Sequence, residues 1–309
     1  MSNKVNKFKL SEHVTIITGS AQGFGLEFAQ RLLAHGGKVC ISDINQDLGN
    51  QTLKGLQDSY GQDQVTFHKC DVTKKADWQD LWTHAEEYFD SQVTLLVNNA
   101  GVGPEFSWKL CLDIMLYGMA EGTFLAIDKM SIAKGGKGGR IMNIASMAGL
   151  LEGMRNIEES GYTMAKWAIV ALTRSFAQRG RNGPMQRDGV KAMALCPWFA
   201  NTQLVRNSTS IETLESKTKM RCLKVSEVGD CFVEALKLDK SGACYTVFPD
   251  APMVDYPNPN FYLLFPMLFA GQKVLKPLGF KSFGMPEFML LCGLLLLMIC
   301  LLPMLYFFC

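Results

Sequence analysis

The sequence predicts an α/β protein with one doubly wound, seven-stranded parallel sheet, followed by a hydrophobic C-terminal helix. Three observations carry this expectation. Short runs rich in β-branched residues alternate with segments of helical periodicity, the order that βαβ units require. A glycine-rich turn joins the first such run directly to the first helical segment. Finally, residues 288–309 (FMLLCGLLLLMICLLPMLYFFC) form a 22-residue stretch without a single charge.

The strands are expected at 13–18, 38–42, 64–68, 93–97, 140–145, 190–196 and 244–248. Helical periodicity of apolar residues places helices at 24–35, 46–58, 76–89, 108–133, 162–179 and 226–236. The glycine-rich turn at 135–139 feeds the fifth strand. The chain then divides into an N-terminal extension (1–9), one domain (10–250), a linker carrying the short apolar segment FYLLFPMLFA (251–287), and a C-terminal helix (288–309).

Composition narrows the function classes. The 309 residues hold 31 Lys and Arg against 29 Asp and Glu, so the net charge of +2 gives no footprint for nucleic acid. With 48% hydrophobic and 19% charged residues, the chain is neither disordered nor a coiled coil. Ten cysteines are scattered without a CxxC spacing and read as reduced thiols. The four histidines, His13, His35, His68 and His84, stand apart in sequence, and no metal site is expected.

The first ten residues contain three lysines and no apolar run, which is not a secretory leader. As a helix, residues 288–309 would extend about 33 Å, enough for a hydrocarbon core of about 30 Å. Lys273, Lys276 and Lys281 precede that stretch, so the charge bias keeps the preceding domain cytosolic. The expectation is a domain anchored to an intracellular membrane such as the endoplasmic reticulum.

The first strand ends in Thr18-Gly-Ser-Ala-Gln-Gly-Phe-Gly25, which opens into a helix. Glycines at this spacing let backbone N–H groups and the helix N-terminus approach a pyrophosphate, the Rossmann-type arrangement. Asp43 ends the second strand about 20 residues on, where a carboxylate accepts from ribose hydroxyls and repels a 2′-phosphate. Ser20 and Ile44 carry no charge to favour such a phosphate, so the expected cofactor is NAD. Cys70-Asp-Val72 and Asn98-Asn-Ala-Gly101 follow the third and fourth strands, at the edge where open α/β sheets bind ligands.

Tyr162-Thr-Met-Ala-Lys166 begins a helix, and its spacing of four stacks both side chains on one face. A phenol titrates near ~10, so work at neutrality requires about 4 kcal/mol of phenolate stabilisation, which an adjacent ammonium and a nicotinamide cation have the sign to provide. Ser146, at the end of the fifth strand, is placed to donate to a substrate oxygen.

In this order TGSAQGFG, Asp43, CDV, NNAG, Ser146 and YTMAK resemble the short-chain dehydrogenase/reductase family over residues 10–250. The resemblance implies that Gly19, Ser20, Gln22, Gly23, Phe24 and Gly25 hold the pyrophosphate and nicotinamide side, Asp43 and Ile44 the adenosine ribose, and Asp71 and Val72 the adenine. Asn99 would line the cleft, and Ala200, Asn201 and Thr202 would meet the nicotinamide end. Tyr162 becomes the general base, Lys166 lowers its pKa and binds the nicotinamide ribose, Ser146 orients the oxygen, and Glu159 faces substrate.

The implied reaction is oxidation of a small hydrophobic secondary alcohol, with prostaglandins or hydroxylated fatty acids before steroids or retinoids. A homodimer through the fourth and fifth helices is also implied. Three departures stand out: Met115 where the family has an asparagine that anchors a water relay, a longer Ser146-to-Tyr162 spacing, with MRNIEES as the insertion, and Trp198 where glycine is common. Met115 and Trp198 leave open a membrane-tethered NAD(H)-binding scaffold or sensor without turnover, and a further alternative is a carbonyl reductase using NADP, against which Asp43 speaks.

Overall fold

The computed structural model describes residues 8–151, 157–176 and 188–256. Contacts divide the chain into Met1–Tyr256 and Pro257–Cys309, and every described residue lies in the first unit. The expected membrane helix (288–309), the apolar segment FYLLFPMLFA and the first three residues of the MRNIEES insertion lie outside the described residues.

Seven strands run parallel: β1 (Val14–Thr18), β2 (Lys38–Asp43), β3 (Val65–Lys69), β4 (Val93–Asn98), β5 (Gly139–Ile144), β6 (Val190–Pro197) and β7 (Cys244–Val247). An eighth, β8 (Val254–Tyr256), pairs antiparallel with β7. This corrects the expected seven-stranded, all-parallel sheet and puts the edge strand inside the stretch expected as a linker. The order is β3-β2-β1-β4-β5-β6-β7-β8. Connections therefore reverse direction between β1 and β4, which opens a crevice above their carboxyl ends. All five residues of β1 are buried, and β4 and β5 are buried almost throughout, as strands covered on both faces must be.

The helices are α1 (Gly23–Ala34), α2 (Gln46–Tyr60), α3 (Lys75–Phe89), α4 (Trp108–Met130), α5 (Ser160–Ser175), α6 (Gln203–Ser208), α7 (Ile211–Thr218) and α8 (Val225–Leu238). One face of the sheet carries α1 packed on α8, with Phe28 and Phe232 stacked 4.3 Å apart between them. On the other face lie α3, α4 and α5, with Trp78, Trp82 and Phe89 of α3 in the core. Two short helices, α6 and α7, were not expected. Each starts on a hydroxyl cap, with Thr202 accepting from the Val205 amide and Ser210 from that of Thr213.

Helix α4 is long and apolar enough, by length and composition, to cross a membrane. In the fold its Ala126 and Met130 are buried with the α3 tryptophans, and Gly122 lies so close to the Trp78 ring that a Cβ there would sit 2.3 Å from it. Its residues Asp113–Gly118 form a π-helical turn, which rotates the helix between its two ends and turns Met115 inward.

Candidate active site

The glycine loop is held by main-chain geometry. Gly19 and Gly23 both take φ near +62°, in the left-handed region where a side chain is strained. A Cβ on Gly25 would lie 2.5 Å from the Gly19 carbonyl and 2.7 Å from the Asn99 amide nitrogen, so the α1 turn closes onto β1 only with glycine there. Gly23 differs, having nothing within 4 Å of its Cβ position. That side of the loop is open, as a cradle for a phosphate must be.

Three expected cofactor residues build the loop itself. Ser20 is fully buried; its hydroxyl donates to the Ile17 carbonyl at 2.8 Å and accepts from the Ser42 amide at 2.8 Å, stapling β1 to β2. Its side chain is therefore structural, and only its backbone is left to face a ligand. Asn99 donates to the Thr18 and Gly19 carbonyls at 2.9 and 2.8 Å, locking the loop to the end of β4. Asp43 accepts from the Ala21 amide at 3.2 Å and the Asn45 amide at 3.0 Å, which fixes its carboxylate at the end of β2 with lone pairs to spare. Ile44 beside it is exposed. Asp71 is occupied by Thr73, whose amide and hydroxyl donate to it at 3.1 and 2.7 Å, while buried Val72 packs against Gly118 of α4.

The open Gly23 cradle, the uncharged Ile44 and the half-satisfied Asp43 carboxylate together fit NAD. Among the described residues, no cation is a hydrogen-bond or ion-pair partner of Asp43.

The catalytic candidates gather where β5 ends beneath α5. Ser146 follows β5, and its oxygen accepts from the Ala148 amide at 3.1 Å, which leaves the hydroxyl proton for another acceptor. Lys166 is buried on the core face of α5, with Nζ donating to the Ile144 carbonyl at 2.8 Å. Loss of solvent brings its pKa down to about 8. Nζ stands 5.5 Å from the centre of the Tyr162 ring, so the spacing of four does bring phenol and amine together. Two glycines permit this packing: a Cβ on Gly149 would strike the Lys166 carbonyl at 2.4 Å, and one on Gly161 would strike Cα of Trp108 at 2.3 Å. Glu159 immediately precedes α5, half-buried.

Met115 is 1% exposed and forms a small apolar cluster with Cys111 and Ala165, against which Tyr162 packs. A thioether offers no useful donor there. Trp198 is buried against Phe199 and Phe248, at centroid distances of 5.1 and 5.5 Å. After it, Ala200 and Asn201 are tied to Leu223 by a short bridge and by the Asn201 amide at 2.9 Å, and Thr202 caps α6.

Sequence reasoning missed Glu105, in the loop from β4 to α4. Its carboxylate accepts from the Ser208 hydroxyl of α6 at 2.6 Å, across 103 residues of chain. It was unreadable because only the sheet order brings those two loops together. Among the described residues no cluster of His, Cys, Asp and Glu is arranged to hold a metal.

A profile of the short chain dehydrogenase family matches residues 13–213. The 15-hydroxyprostaglandin dehydrogenase [NAD(+)] of Homo sapiens is 35% identical over 207 residues, 67% of this chain and 73% of that protein. The trans-4-hydroxycyclohexanecarboxylate dehydrogenase of Sinomonas cyclohexanicum is 34% identical over 181 residues, 55% and 67% of the two chains. Among solved structures, the 3-ketoacyl-(acyl-carrier-protein) reductase from Brucella melitensis complexed with NADH superposes with a TM-score of 0.65 at 22% identity, covering 76% of this chain and 96% of that one.

Proposed function

The chain belongs to the short-chain dehydrogenase family, and from that premise we propose that it oxidises a secondary alcohol of a hydrophobic substrate, of the prostaglandin or hydroxy fatty acid kind, to a ketone with NAD as acceptor. The observation that carries this reading is the buried Lys166 ammonium, pinned on the Ile144 carbonyl beside the Tyr162 ring.

In this reading Tyr162 takes the hydroxyl proton, Ser146 donates to the same oxygen, and the carbinol hydrogen leaves as hydride. Bound NAD supplies the nicotinamide carbon that receives it. The glycine loop from Gly19 to Gly25 and the carboxylate of Asp43 would hold the pyrophosphate and ribose, with Asp71 and Val72 beside the adenine. Ala200, Asn201 and Thr202 would meet the nicotinamide end. Lys166 stays charged below about pH 8 and so lowers the cost of the phenolate. The site is dry around it, which strengthens that field.

The test is NADH formation with purified protein and a panel of hydroxy lipids. Tyr162→Phe should lower the rate by about a thousandfold while NADH still binds. Equal rates in the two proteins would sink this chemistry.

Met115 favours a second reading, a protein that binds NAD(H) without turning over. Met115→Asn restores a polar group in the cluster beside Tyr162; a raised rate points to an impaired enzyme, and no rate in either protein to a binder. We extend the proposal to a membrane anchor at residues 288–309, supported by 22 residues without charge. Fractionation of a chain lacking residues 285–309, beside the full chain, tests it. Exposed Tyr117 and Phe124, 63% and 60% accessible and two turns apart on α4, support a homodimer through that helix, which sedimentation can check.

A further inference from the structure

The sheet order sets β5, which carries Ser146 at its end, between β4 and β6. The loops that leave the carboxyl ends of β4 and β6 therefore stand on either side of the catalytic group. Among the described residues, the Ser208 hydroxyl donating to Glu105 at 2.6 Å is the side-chain hydrogen bond that joins these two walls. Glu105 is the single charged residue between Asn99 and Trp108. Its carboxylate folds back over buried Gly103, where a Cβ would lie 2.1 Å from Oε2, so the loop holds the acid in place. It has no ion-pair partner among the described residues, and it lies near Cys111 of the Tyr162 cluster, whose thiol is pushed up first by burial and then by the Glu105 charge.

We propose that Glu105 is a specificity-determining residue: it clasps the β4 loop to α6 through Ser208 and presents an uncompensated negative charge between the walls of the substrate cleft. The charge selects against substrates that bring a free carboxylate to those walls and in favour of the neutral ester, amide or alcohol of the same chain. This deepens the proposed oxidation and rests on it, narrowing the hydroxy acids to those whose chain length keeps the carboxylate clear of the two walls.

The two parts of the clasp can be separated by mutation. Glu105→Gln keeps an oxygen that accepts from Ser208 and removes the charge, whereas Ser208→Ala keeps the charge and removes the bond. The full chain, in neutral detergent, is assayed with secondary hydroxy acids whose carboxylate lies two to twelve carbons from the hydroxyl. Each acid is paired with its methyl ester. Glu12→Gln, exposed before β1, is the control that leaves every preference unchanged.

For the acids whose spacing reaches the clasp, the ester-over-acid preference in kcat/KM should fall by about tenfold in Glu105→Gln. It should also fall in wild type as salt is raised, because exposed charges are screened. Ser208→Ala should raise KM for acid and ester alike and leave their ratio as in wild type. An ester-over-acid ratio equal in wild type and Glu105→Gln at every spacing overturns the proposal, and so does a ratio that moves with Ser208→Ala instead. NADH fluorescence separates the two levels. NADH binding with turnover of neither member of any pair sinks the oxidation reading and the clasp with it, whereas turnover with an unaltered ratio sinks the clasp alone.

Discussion

The two halves of the sheet edge treat their polar groups differently. Around β1, β2 and the start of α1, polar side chains end on main chain: Ser20 on Ile17 and Ser42, Asn99 on Thr18 and Gly19, Asp43 on Ala21 and Asn45. Around β5 and β6 the accounts are left open. Lys166 is buried on the Ile144 carbonyl beside the Tyr162 ring, and the indole N–H of Trp198 is buried with no partner among the described residues. The loop that would grip the cofactor is pinned to main chain, although behind it the Thr15 and Ser42 hydroxyls are buried without a partner among the described residues. The half that would perform the chemistry keeps a buried amine and a buried indole in states that water would relax, as functional sites do.

The largest expected effect tests the pinned loop. Gly25→Ala forces a Cβ into the Gly19 carbonyl, so the backbone must move; we expect a loss of about 3 kcal/mol and NADH binding weakened at least about tenfold. Gly23→Ala meets no atom and pays only the strain of its positive φ, about 1–2 kcal/mol. Urea unfolding and NADH fluorescence read both. Equal losses at the two glycines would mean that the loop is not packed as described.

Next comes the strained half. The Lys166 amine titrates at about 8 in the fold against about 10.5 when unfolded, so the unfolded chain holds more protons between those values and stability rises with pH across that window. Below pH 8 the full cost of burying the charge is present, about 3 kcal/mol by linkage. Lys166→Met removes it, at the expense of an unpaired Ile144 carbonyl worth about 1 kcal/mol. The variant should be inactive, about 1–2 kcal/mol more stable at pH 7, and should lose the rise between pH 8 and 10.5. A destabilised variant would show that the lysine contributes to the fold instead of straining it.

How far this division was legible follows from where each signal resides. The seven parallel strands stood out because strands covered on both faces read as apolar runs, and Ser146, Tyr162 and Lys166 because their spacing is local. β8 did not, since Val254, Asp255 and Tyr256 are too few and too polar to form a pattern, and Tyr256 is placed by pairing with Cys244. Helices α6 and α7 carry polar surfaces, and their signal was the caps Thr202 and Ser210 rather than periodicity. Ser20 was read as a ligand contact because its place in the motif is visible while the inward direction of its hydroxyl is not. Glu105 needed the order β4-β5-β6, which no local pattern encodes.

The smallest effect compares two tryptophans. Trp78 of α3 donates its indole N–H to the Val72 carbonyl at 3.0 Å and is closed in by Gly122, while Trp198 after β6 is also buried but has no acceptor among the described residues. Replacing either by Phe removes part of a buried ring, and the cavity costs about 1–3 kcal/mol. At position 78 a made hydrogen bond is lost and a buried carbonyl stranded, so the two penalties add. At position 198 the lost donor was desolvated without return, and its removal recovers about 1–3 kcal/mol. Trp198→Phe should therefore shift stability by less than about 1 kcal/mol, against about 3 kcal/mol for Trp78→Phe, with unchanged urea m-values in both. If the two losses were equal, the indole of Trp198 would have to be satisfied in solution, and the contrast between the two rings would fail.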